Sequence, residues 1–402
     1  MTALGLIGIF LGALAFRLAF IGRTFGKILL LAAAYALHVA AAFVYYRRTE
    51  ADIADTYGYY YDPMGMYGEG FGLGTQFIVF AVQSIKHMVG GTYLDYFFLF
   101  QALGYAGICL LMRVADEIYS ELGLRMPPYL YLLLFVPSLH FWSSAVGKDA
   151  PFLFSAVLAI WSSMRLPQRL LGLVAALLLM LLIRPHIFLV AVAALALAAM
   201  AGRGVRAHVR VALFVAASAG VAFAISAVQE TFNIDVTSSE SVMQQLERRE
   251  GVLQTEDAGN TSVNAAYPVR LLSLLFRPLF FDAQGLFGLI SSMENLAILL
   301  LVSVILFRIR FVAALVRNIV YIRFTVIFTL MLILFLALAY YNVGLGLRQK
   351  WTMVMPGLFV VLITLLCAQA RRRSDLRARA AIPFPPGVVQ GESFAHGGGG
   401  QT

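Results

Sequence analysis

The sequence predicts an all-α, polytopic integral membrane bundle, and three observations carry that expectation. Apolar residue types make up 61% of the chain and charged ones 13%. Mean hydropathy is +0.83. Apolar runs of 15 to 25 residues recur from one end to the other, so lipid rather than a soluble core must absorb most of this surface.

One bilayer crossing takes roughly 20 mostly apolar residues, so the chain accommodates about ten or eleven. The candidate spans are 2–21, 26–46, 92–112, 128–142, 150–164, 169–183, 186–201, 211–228, 285–307, 324–343 and 351–369. The first run, "LGLIGIFLGALAF", has no basic residues before it and a second span follows at once, so it reads as a retained helix rather than a cleaved leader. Residues 75–90 are apolar but hold Gln76, Gln83, Lys86 and His87, which suits a helix on or dipping into the interface.

Residues 1–370 thus form one polytopic membrane domain, with outer loops 47–91 and 229–284 that carry interfacial helices. Within the second loop, a polar stretch (236–262) is followed by "YPVRLLSLLFRPLFF", an amphipathic run that sets Arg270 and Arg277 at headgroup level. Residues 371–402 are rich in Arg, Pro and Gly and read as a disordered basic tail.

The formal charge of +9 is explained by topology. With the tail on the cytoplasmic side, alternation places eighteen of the thirty Lys and Arg on that same side. That is the basic-inside bias of a plasma-membrane protein, and it requires no nucleic-acid partner. Cys109 and Cys367 both lie inside apolar runs, which argues against a disulfide framework or a thiolate metal site. No Gly-rich nucleotide loop, zinc motif or nucleophilic serine elbow is present, which disfavours an ATP-driven enzyme.

This orientation puts the unusual polar clusters on the outer side. "ADIADTYGYYYD" interleaves Asp52 and Asp55 with tyrosines. Such carboxylates suit a general base or a divalent-ion site such as Mg2+ or Mn2+, and the rings suit a sugar, although a solvated loop with an interfacial tyrosine belt has the same composition. Lys148 and Asp149 break what would otherwise be a helical hairpin; the lysine can hold a phosphate as a point charge, or the aspartate can simply neutralise it. Arg184 and His186 flank Pro185 with almost no loop between two spans, a costly position for an arginine unless it is paired, solvated or snorkelled. Arg348 and Lys350 follow the glycine-rich turn "NVGLG", where backbone can approach a ligand and the arginine fork matches phosphate oxygens. Glu294 lies about 14 Å into its span, where carboxylates are rare and usually face an internal pathway.

Taken together, "ADIADTYGYYYD", "PSLHFWSSAVGKDA", "IRPH", "LFRPLFFDA" and "GLGLRQKWTMVMP" resemble bacterial exopolysaccharide and O-antigen polymerase-type proteins and the wider GT-C class of polyprenyl-phosphate-sugar glycosyltransferases. That resemblance implies transfer of a sugar or oligosaccharide from a polyprenyl-(di)phosphate donor to a glycan acceptor at the outer face of a bacterial inner membrane. Asp55, supported by Asp52, would then be the base or metal-organising carboxylate, with Glu294 a further acidic candidate. The cations Lys148, Arg184 and Arg348 would hold the donor phosphate, and Asp149, His186, Arg277 and Lys350 are the further substrate-binding candidates. The chain departs from the GT-C pattern in an extra span before the acidic loop and in lacking a large soluble C-terminal domain. A flippase or secondary transporter of a charged or lipid-linked substrate, with Glu294 and Arg184 on its pathway, is the alternative reading, and a non-catalytic subunit of a synthesis complex is a third.

Overall fold

The computed structural model describes residues 2–22, 24–51, 54–62, 65, 70–201, 266–283, 285–338 and 343–380, with a few isolated positions between 208 and 219. Within these the chain is all-helical, with no strands. Five helices are long and apolar enough to cross a membrane, which makes this a multi-pass membrane protein: α3 (Phe25–Ala51), α6 (Tyr93–Glu121), α12 (Gly285–Phe307), α14 (Val320–Leu338) and the helix over Gly344–Leu376.

Shorter apolar helices fill the remainder. They are α1 and α2 (Ala3–Leu14 and Phe16–Ala19), α8 (Asp149–Met164), α9 (Leu170–Ile183), α10 (Pro185–Met200) and α11 (Tyr267–Phe276), with the amphipathic α13 (Ile309–Asn318) between α12 and α14. At 1.5 Å per residue the 16 residues of α8 or α10 reach about 24 Å, less than the roughly 30 Å hydrocarbon core. The ten or eleven spans expected therefore resolve, among the described residues, into five full-length helices and a set of shorter ones.

The expected span 128–142 is not one helix. Pro128 and Pro137 divide it into a 3-10 segment, Pro128–Phe135, and a short α7, Pro137–Ser143, because proline cannot donate to the preceding turn. Residues 75–90 do form a helix, α5 (Thr75–Val89), joined to α9 by the Gly74 N–H donating to the Leu182 carbonyl at 2.8 Å. The last helix, α16 (Met355–Ala380), carries on ten residues past the expected tail boundary at 371. Residues 381–402, the polar stretch 236–262 and most of the candidate span 211–228 lie outside the described residues.

α6 is the axle of the bundle. It is buried over most of its length, and α1, α2, α3, α8 and α16 all pack on it. Gly104 makes one of these contacts possible: a Cβ there would collide with the Ser143 carbonyl of α7, and small residues are what lets membrane helices approach backbone to backbone. At the start of α6, Thr92 and Asp95 form a capping box, and Asp95 also accepts from the Thr2 N–H at 2.9 Å, tying down the first helix. Between α15 (Val343–Gln349) and α16 lies one π turn, Lys350–Val354.

Candidate functional site

Four separate pieces of chain meet where helices break. α8 begins at Asp149, directly after Lys148 and the positive-φ Gly147, where an added Cβ would press against the Tyr59 ring. α9 stops at Ile183 and α10 starts at Pro185, leaving Arg184 in the gap, with its backbone N–H still bonded to the Met180 carbonyl at 2.7 Å. α15 supplies Arg348 from near the other end of the chain, and α4 (Asp55–Tyr61) supplies Asp55 at its first residue.

Asp149 is the hub. One carboxylate oxygen accepts from Arg184 at 2.8 Å and the other from the Nε of Arg348. The second face of the Arg348 guanidinium donates to Asp55 at 3.1 Å. The Lys148 ammonium is bound not to a carboxylate but to the Thr75 hydroxyl, at 2.6 Å. Burial, reinforced by Arg184 and Arg348, pushes this ammonium down to about 7. Arg184 also keeps its Nε buried and without a hydrogen-bond partner.

Exposure is graded across the cluster. The side chains of Asp149, Arg184, Arg348 and Asp55 are 5%, 11%, 17% and 61% exposed, so the cluster opens to its surroundings at Asp55. An exposed pair such as Asp55–Arg348 is worth little and exchanges easily, whereas a buried one does not. An incoming anion can therefore take Asp55's place on Arg348 while Asp149 continues to hold both arginines in position.

The other candidates lie elsewhere. Lys350 is fully buried and donates to the Asn295 side chain and to the carbonyls of Leu275 and Arg277, each at 3.2 Å, so it fastens α11 to α12. Arg277 pairs with Asp282. His186 stacks on Phe335 with ring centres 5.5 Å apart. Glu294 accepts from the Ser138 N–H at 2.8 Å and from its hydroxyl, below α7. Asp52 lies outside the described residues. Of the expected divalent-ion pair only Asp55 is described, and its carboxylate faces a guanidinium. Among the described residues no group of three or more His, Cys, Asp or Glu could hold a metal.

Sequence reading passed over Thr75, and also a buried pair, His38 and His140, whose Nδ1 atoms stand 2.9 Å apart between α3 and α7. A separation of 102 residues left no local signal for that pair. No protein-family model, characterised protein or solved structure matches the chain.

Proposed function

We propose that the protein is a membrane-embedded glycosyltransferase or polysaccharide polymerase of GT-C type, acting at the outer face of a bacterial inner membrane with the C-terminus in the cytoplasm. The donor is a sugar or oligosaccharide on a polyprenyl (di)phosphate, and the acceptor is a glycan. One observation carries this reading: Lys148, Arg184 and Arg348 gather around one buried aspartate, Asp149, and among the described residues the exposed partner of these cations is the exchangeable Asp55 carboxylate.

In this mechanism Arg348 and Lys148 take the phosphate oxygens, and Arg184 works with Asp149 to fix the Arg348 fork. Displaced from Arg348, Asp55 becomes available as the base that accepts the proton of the attacking acceptor hydroxyl. The negative charge that develops on the leaving phosphate is matched by cations already in place.

Alanine at Asp55, Lys148 or Arg348 is expected to abolish sugar transfer in proteoliposomes supplied with an isoprenyl-diphosphate-linked sugar, while the protein still inserts and accumulates. Unchanged polymer in all three variants removes the proposal. Flipping or ion-coupled uptake of the substrate with no new glycosidic bond would assign the cluster to transport instead.

A further inference from the structure

α5 supplies no charged member of the cation cluster, yet it braces three of the pieces that do. Where it begins, the Gly74 N–H donates to the Leu182 carbonyl at 2.8 Å, two residues before Arg184. The next residue, Thr75, accepts from the Lys148 ammonium at 2.6 Å. Further along, the Gln83 amide donates to the Tyr59 and Tyr60 carbonyls at 3.3 and 2.8 Å and so holds α4, whose first residue is Asp55. Of these contacts, the one at Thr75 touches a charged side chain of the cluster.

The choice of acceptor has a chemical consequence. Asp149 adjoins Lys148 in the chain, but the ammonium turns to the hydroxyl instead. A hydroxyl solvates an ammonium and leaves its charge whole, whereas a carboxylate would cancel it. An ammonium carries three N–H donors, and Thr75 takes one. Among the described residues the other two have no acceptor.

We propose that Thr75 is a positioning residue for the phosphate-binding lysine: its hydroxyl keeps the Lys148 ammonium charged and off the carboxylates, with two N–H groups left for the donor phosphate. The inference rests on the transferase reading above and deepens it by adding a residue that acts on substrate through Lys148. Burial, Arg184 and Arg348 push the ammonium down to about 7, against the pull of Asp55 and Asp149. Tyr45 from α3 and Tyr59 from α4 are the further titratable groups that face these charges. Within that surround the Thr75 oxygen is a neutral acceptor that favours the charged form. Without it the proton leaves at lower pH, by about one unit for a hydrogen bond to a charged group.

The test measures binding of isoprenyl phosphate to the full-length protein in phosphatidylcholine nanodiscs at pH 5 and pH 8. The ratio of variant to wild-type affinity cancels the ionisation of the ligand itself. Thr75→Val keeps the shape and removes the hydroxyl. If only the ammonium form binds, this variant should match the wild type at pH 5 and bind about ninefold more weakly at pH 8. Thr75→Ser should restore wild-type affinity at both, and if Thr75→Val does not accumulate, Thr75→Ala provides the same comparison. A ratio that is the same at the two pH values overturns the proposal, because a packing defect or an uninvolved residue has no reason to follow the lysine's charge. So does tighter binding than wild type at pH 8, the sign of a lysine captured by a carboxylate, or a serine variant that behaves as valine does. None of these results bears on the transferase reading, which fails only if transfer survives in the Asp55, Lys148 and Arg348 variants.

Discussion

Two charge clusters sit at opposite ends of the bundle with the same inventory of three cations and two carboxylates. At the far end of α6, Glu117 receives Arg113, Arg165 and Arg169, and Arg165 also reaches Glu121 at 2.9 Å. At the other end, Lys148, Arg184 and Arg348 surround Asp149 and Asp55. In the first, every cation reaches a carboxylate, the Trp161 indole adds a hydrogen bond to Glu117 at 3.0 Å, and Arg165 is 46% exposed. Its members come from one helix and the turn between α8 and α9. In the second, the carboxylates are shared among arginines drawn from distant parts of the chain, and the lysine is left on a hydroxyl. The same charges thus make a fastening at one end and a receptive cluster at the other. Their central carboxylates are equally buried, Glu117 at 2% and Asp149 at 5% exposed, so what separates the clusters is the number of chain segments that must be held together and the lysine left without a carboxylate.

The sharpest way to break the contrast is Asp149→Asn, which strands two buried guanidinium groups. The expected loss is about 3–5 kcal/mol, read as a large fall in melting temperature in detergent. Next comes Asp55→Asn. Its carboxylate is 61% exposed, so the melting temperature should hold while sugar transfer falls at least about a hundredfold, the scale of a lost general base. A parallel fall in both quantities would reduce Asp55 to a structural partner.

The lysine offers a pH test. Its value in the fold, about 7, lies below the ordinary 10.5, so between those limits the unfolded chain binds a proton that the folded chain does not. Stability should therefore rise with pH across that window. Affinity for isoprenyl phosphate should move the other way, weakening about tenfold between pH 6 and pH 8 if only the ammonium form binds, and Lys148→Gln should flatten that part of the profile. The smallest effect is expected at the other cluster. Arg165→Gln removes an exposed arginine; Glu117 keeps Arg113, Arg169 and Trp161, and Glu121 is 39% exposed and can turn to water, so neither melting temperature nor transfer should change.

The helices themselves were legible because lipid demands long apolar runs, and Pro185 announced the break that exposes Arg184. The run 128–142 was misread because its composition is apolar while its two prolines decide the conformation. Lys148, Arg184 and Arg348 stood out as charges where helices end near hydrocarbon. Their meeting did not, since Arg348 lies 199 residues from Asp149 and 293 from Asp55, and no local pattern records a contact of that range. Lys350 illustrates the converse: two residues from Arg348 in sequence, it points into α11 and α12 because neighbours at that spacing occupy different faces of a helix.

The wide turn at Lys350–Val354 has a mechanical meaning. Excess residues in a helix act as a phase slip, so the guanidinium above the turn and the apolar residues of α16 below it are aimed independently of each other. Regular winding of the same residues would turn position 348 about 100° around the axis, away from Asp149, whereas deleting one residue together with the wide turn would leave its direction nearly unchanged. The defect is the joint that lets one rod point its two ends at two different neighbours.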